Sequence, residues 1–235
     1  MAPPQKKQKK SSSTSLQPID SNIKQWLMDP IAVRRWNAMK DFTIHEGSFI
    51  NLNAFILYDV EEQLVKARIK SLLTFDKNNV EINHIMIKLF YANLNLQKFK
   101  PENAANCLWS VVCGHHIFIS KERMAMVLGS PNSGREFSSD FCTVHTRDRI
   151  SHQFIEDHKI STKAINLRPM ARVIHHTLIH SLLTRVGNFD VVYKENFKAL
   201  YAIYGDIEIN WINMIFDEIL LVNDRKRPHI FYNEY

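Results

Sequence analysis

The sequence predicts a mainly α protein of the α+β kind: a helical domain with a small inserted β-hairpin, behind a disordered basic N-terminal tail. Three observations lead there. Apolar residues recur at helical spacing through most long windows, and several of these windows open on Asp, Asn, Ser or Pro. Between residues 107 and 120 the period changes to a β-branched and aromatic run around one glycine. Only 6 glycines occur in 235 residues, which argues against a glycine-turn-rich barrel or a dinucleotide-binding fold. Hydrophobic residues make up 45% of the chain, enough for a substantial core.

Residues 1–18 are Pro, Gln, Lys and Ser, a composition that cannot bury enough apolar surface to order itself. Lys6, Lys7, Lys9 and Lys10 have the form of a short nuclear-import signal or a nonspecific phosphate-binding tail, and no acidic residue precedes Asp20. Removing those four lysines from the 30 basic residues leaves 26 against 24 acidic ones, so most of the formal +6 sits in the tail and the body is near neutral.

The body, residues 19–223, is read as one helical domain, and 224–235 as a short C-terminal tail. Asp29-Pro30 offers an N-cap with proline at the first helical position, ahead of "IAVRRWNAMKDF". The stretch "TIHEGSFINLNAFIL" fits strand or coil. Asp59 opens "VEEQLVKARIKSLL", acidic in its first turn and basic later, as the helix dipole favours. Asn79 is placed to cap "VEINHIMIKLFYANL", with Ile82, Ile85, Met86, Leu89 and Phe90 forming its apolar face.

"CLWSVVCGHHIFIS" then reads as a short hairpin around Cys113, Gly114 and His115. Ser120 caps "KERMAMVL", Gly129 ends it, and "GSPNSGREFSSD" is a loop. Pro169 starts a helix expected to run to about Arg185, before Gly187. "KENFKALYAIY" gives another that ends near Gly205, and Asn210 caps "WINMIFDEILLV" as a third.

Several motifs suggest chemistry. In "RVIHHTLIHSLL", His176 and His180 are four apart, the spacing that lets two imidazoles share a metal, whereas His175 points away from both. A zinc protease needs Glu after the first histidine of such a pair, and position 177 is Thr. Half-buried helix histidines are therefore the expected reading. Cys113, His115, His116, Cys142 and His145 form a second possible metal set, but without paired ligands at both ends. Gly114 and His115 read more simply as turn residues.

"GSPNSGRE" departs from a phosphate-cradling loop at two decisive places, Arg135 for the lysine and Glu136 for the magnesium-binding hydroxyl. No G-x-S-x-G occurs, and Cys142 with His145 is no dyad without spatial contact. Phe90, Tyr91, Trp109 and Phe118 lack the glycine-aromatic signature of sheet-based RNA modules, so core packing is expected of them. The expectation is no enzyme, no metal and no cofactor.

Three cysteines, Cys107, Cys113 and Cys142, are too scattered for a disulfide framework. There is neither an apolar N-terminal leader nor a run of 18 apolar residues. A soluble, intracellular and, through the tail, nuclear location is expected, with no membrane partner.

Taken in order, "IKLFYANL" (Ile87–Leu94), "VVCGHHIFISKERMAMVLGSPNSG" and "LRPMARVIHHTLIHSLLTRVGNFDVV" resemble the plant transposon protein domain family, found in plant retroelement-derived reading frames. The residues carrying the likeness are Phe90 to Asn93, Val112 to Ile117, Ser120 to Pro131, Ala171-Arg172, Ala199 to Ile203 and Ile209-Asn210, spanning roughly residues 30 to 222. The family usually continues past the last helix into an apolar, proline-containing segment, whereas this chain ends in "NDRKRPHIFYNEY", so a truncated copy is expected.

The resemblance implies a mobile-element relic with a gag-adjacent or accessory role, and it supplies no catalytic residue. The function expected is a non-catalytic interaction domain that binds itself or other element proteins, with nucleic acid reached through the lysine tail. The alternatives are a metal-dependent transposase or nuclease, which would need carboxylates such as Asp140, Asp148 and Asp157 around one point, and an element remnant without function.

Overall fold

A computed structural model of the chain describes residues 21–41, 51–53, 59–74, 83–102, 106–141, 150–156, 163–183 and 190–223. The lysines of the tail, Asn79, Ile82, Cys142, His145, Asp148, Asp157, Arg185, Gly187 and residues 224–235 lie outside these segments. The described residues form a mainly helical fold with one two-stranded hairpin, as the sequence predicts.

The first layer begins with α1 (Ser21–Lys24) and α2 (Pro30–Met39). Asp29 caps α2 through its carboxylate, which accepts from the Ile31 and Ala32 amides at 2.7 and 2.9 Å. Ala32, Trp36 and Met39 recur every three to four residues and are all buried.

This face lies along α5 (His84–Ala92). The two helices run antiparallel. The Lys88 ammonium at the middle of α5 donates to Lys40 O, past the end of α2, at 2.6 Å, and the Arg35 guanidinium, at the middle of α2, donates to Leu94 O, past the end of α5, at 2.6 Å. Burial holds the Lys88 ammonium below its ordinary pKa, with nearby Asp41 opposing that shift.

Helix α5 corrects the sequence reading at its start. Asn83 is the cap, its side-chain oxygen accepting from the Ile85 and Met86 amides at 3.1 Å each. Ile85 and Met86 are exposed, because the first turn projects beyond the layer and burial begins only at Ile87.

Asp59 does not cap α3 (Val60–Lys66) either: its backbone is left-handed, with φ 51°, and its side chain makes no cap bond. The single helix expected after it is broken by Arg68, whose φ is 57°, and α4 (Lys70–Leu73) follows as a separate turn. Distant residues fill the break. The Trp211 indole donates to Ala67 O at 2.8 Å, the Ser130 hydroxyl to Arg68 O at 2.9 Å, and the Arg68 guanidinium pairs with Glu208 at 2.6 Å.

The hairpin joins β1 (Cys107–Val112) to β2 (His115–Ser120), pairing Val112 with His115 and Cys107 with Ser120. Ser120 then caps α6 (Lys121–Leu128) by accepting from the Arg123 amide at 3.2 Å, and Gly129 ends it at φ 62°.

The second layer holds α7 (Pro169–Ser181), α8 (Lys194–Tyr204) and α9 (Trp211–Asn223). Helix α7 packs on α8 and α4, α8 on α3, and α9 on α6. It ends at Ser181, earlier than its pattern predicts. Asn210 caps α9 through the Asn213 amide at 2.8 Å, as expected. Trp211, Tyr201 and Phe154 are the largest fully buried side chains of a core that both layers share.

Candidate functional site

Helix α7 carries the three adjacent histidines. Its buried side runs through Ala171, Ile174, His175, Leu178, Ile179 and Leu182. Thr177 is buried as well, while Met170 and Val173 are half-buried. Helices α8 and α4 both pack against α7. His175 is 1% exposed, so it is a core residue, whereas His176 is exposed and His180 half-buried. The His176 and His180 rings lie 4.3 Å apart between centroids, tilted by 42°. Among the described residues no three His, Cys, Asp or Glu side chains converge as a ligand set.

At the hairpin tip the two turn residues are Cys113 and Gly114, with φ of 50° and 82°, and His115 is the first residue of β2 rather than part of the turn. Positive φ at both central positions is the twist-matched turn of a two-residue hairpin. A Cβ on Gly114 would sit 3.3 Å from the Trp26 ring. Cys113 is half-buried and His115 exposed. Their proposed zinc partners, Cys142 and His145, lie outside the described residues.

The two edges of the hairpin differ. Trp109 exchanges both of its backbone bonds with Asn95, the amide reaching the Asn95 side chain at 3.1 Å and the carbonyl accepting from the Asn95 amide at 2.8 Å. The Asn93 side chain donates to Val111 O at 2.7 Å. The outer edge of β1 is therefore filled. Because Trp109 bonds outward, the Trp109–Phe118 pair is a non-hydrogen-bonded one, and the N–H and C=O of Phe118 point away from β1 as well.

No strand lies beyond β2 among the described residues. Phe118 is 43% exposed, while Trp109, opposite it on the same face, is 7% exposed. The His116 ring stacks beside Phe118 at 6.2 Å. Core packing is expected of Phe118 from the sequence, yet it is exposed together with His116, and both alternate with the half-buried Ile117 and Ile119.

The loop after Gly129 is tied to the chain that leads into α9. The Arg135 amide donates to Glu208 O at 2.8 Å and Arg135 O accepts from the Asn210 amide at 2.9 Å, so its backbone joins 208–210. A Cβ on Gly134, at φ 112°, would come within 2.8 Å of Glu208 O, which requires glycine there. Lys198 clamps the loop: it donates to Ser139 O at 2.6 Å and lies over the Phe141 and Phe137 rings at 4.6 and 5.4 Å. Asp140 is exposed on this loop, and the other two carboxylates of a nuclease set, Asp148 and Asp157, lie outside the described residues. Of the four candidate base-stacking aromatics, Tyr91 and Trp109 are buried, Phe90 is half-buried, and only Phe118 is exposed.

Several residues of the stretches quoted above hold contacts between elements, whereas others, such as Met126 and Val127, are exposed. Phe90 O accepts from Ser110 Oγ at 2.7 Å, and Asn93 bridges three segments. The Arg172 guanidinium grips Ile165 O and Leu167 O at 2.6 and 3.0 Å. Ala199 to Ile203 are all buried. No family model, curated protein or solved structure matches the chain.

No described helix is long and apolar enough to cross a membrane.

Proposed function

We propose that the chain is a non-catalytic interaction domain of a protein derived from a plant mobile element, and that it associates with a second copy of itself through the outer edge of β2. The edge of β2 at Phe118, with no further strand beside it among the described residues, carries this reading. An outward N–H and C=O, flanked by an exposed aromatic pair, form a template for strand addition. The strand from His115 to Ser120 contains no Lys, Arg, Asp, Glu or Pro, the residues that commonly block such pairing. Two antiparallel β2 strands related by a two-fold axis therefore meet without formal-charge repulsion.

Sedimentation velocity of the full chain tests the proposal. The expected result is a concentration-dependent dimer that Phe118→Pro converts to monomer. Proline at 118 removes only the outward N–H, so the hairpin ladder itself is spared. A wild-type monomer at every concentration, or a dimer insensitive to this substitution, refutes self-association.

The tail lysines Lys6, Lys7, Lys9 and Lys10 would add nucleic-acid contact and nuclear import. Deleting residues 1–18 is expected to abolish most nucleic-acid binding and to flatten its salt dependence. Unchanged binding would place that contact elsewhere.

A further inference from the structure

We infer that His176 and His180 form a two-imidazole chelating site for a borderline divalent transition cation, with Cu2+ bound most tightly. This goes beyond the interaction reading and does not depend on it.

The ring separation is close to that of a bound pair. With metal–nitrogen bonds of about 2.1 Å, two rings in adjacent coordination positions place their centroids about 4.5–5 Å apart. The observed separation is 4.3 Å, so the chelate needs the two rings to turn in place and no change in the helix. Both residues lie on one helix of 13 residues, and their fixed four-residue spacing limits the chain ordering needed to bring the donors together.

Three further features favour a cation at this position. His176 is exposed and His180 half-buried, so an ion reaches the pair while keeping water on its remaining positions. His180 lies in the last turn of α7, where the helix dipole presents its negative end. The positive group one turn before His176, Arg172, is directed to Ile165 O and Leu167 O. In addition, the Thr177 hydroxyl between the histidines donates back to Val173 O at 2.9 Å.

Two neutral imidazoles suit copper, nickel and zinc rather than magnesium or calcium, and at equal geometry Cu2+ stands highest in the divalent series. With two protein ligands the ion retains open positions, so the class of site is a surface chelate and not a closed structural zinc centre.

The test titrates Cu2+ alone into the full chain, free of any affinity tag, by isothermal calorimetry, and records the electron paramagnetic resonance spectrum at one equivalent. The expected result is one tight equivalent whose spectrum reports two imidazole nitrogens. Its affinity should fall at least tenfold in His176→Asn and in His180→Asn, while Zn2+ binds the same pair more weakly. Circular dichroism confirms that each variant remains folded, and the wild-type spectrum decides the ligand count even if one does not. Absence of a tight equivalent, a spectrum without two imidazole nitrogens, or tight binding retained in the double variant overturns the assignment. Loss of dimerisation in Phe118→Pro leaves this result untouched, so the two proposals fail independently.

Discussion

Asn93 is the residue whose loss should be felt most for its size. It is 1% exposed at the end of α5, and its amide bonds three backbone groups in two other segments. Nδ2 donates to Trp26 O at 2.8 Å and to Val111 O at 2.7 Å, while Oδ1 accepts from the Met28 amide at 3.2 Å. In Asn93→Ala all three backbone groups lose their partner.

Val111 O is fully enclosed, so its desolvation alone should cost about 1–3 kcal/mol. Trp26 O and the Met28 amide are partly buried, and water can recover some of each bond, leaving about 0.5–1 kcal/mol apiece. The expected destabilisation is therefore about 3 kcal/mol. Urea unfolding monitored by circular dichroism measures it as a lower midpoint at unchanged slope. Asn93→Asp supplies a check on the direction of the bonds, since it turns a carboxylate oxygen toward two carbonyls and should be at least as damaging at neutral pH. A loss below about 1 kcal/mol in the alanine variant would mean that the amide is not the junction described.

Two other substitutions probe the backbone and a buried hydroxyl. Cys113 occupies a left-handed turn position that asparagine adopts more readily, so Cys113→Asn should stabilise the protein by about 0.5–1 kcal/mol in the same unfolding assay. An unchanged or lower midpoint would show that the half-buried thiol contributes more by packing than it costs in strain.

Tyr204 Oη is buried without a hydrogen-bond partner among the described residues, and burial pushes its hydroxyl up to about 12, slightly opposed by Arg168. Between its ordinary value of 10.0 and about 12 the folded state keeps a proton that the unfolded chain releases. Stability present below that window should therefore fall as pH rises through it. Tyr204→Phe should be at least as stable as the parent at pH 7 and should lack this part of the alkaline decline. Superimposable stability–pH curves for the two proteins would refute the assignment.

Local signals in the sequence were readable where the partners are local. Asp29, Ser120 and Asn210 each cap the helix that starts beside them, and Gly129 ends the one before it, because each acts within three or four residues. The hairpin was visible for the same reason.

The misplacements arise where distant chain decides. Nothing near Arg68 announces a break, since the groups that complete it come from residues 130, 208 and 211. Asn79 and Asn83 are both plausible caps, and the structure places the helix start at Asn83. His175 is buried on α7, a helix packed by α8 and α4, which lie in other parts of the chain that no single window contains. For the histidine pair, spacing alone brought His176 and His180 together. The hairpin's unequal edges required knowing that Asn93 and Asn95 fold back onto β1.

The gap between α3 and α4 also bears on how the chain matures during synthesis. Its carbonyls and guanidinium wait for residues up to 144 positions later. While the ribosome is still making the first half, the carbonyls of Ala67 and Arg68 have only water to bond, and native closure of this corner is deferred until Trp211 has emerged. A polypeptide halted before that residue should accordingly be a poor folder and an early substrate for proteases, however well its upstream helices have formed.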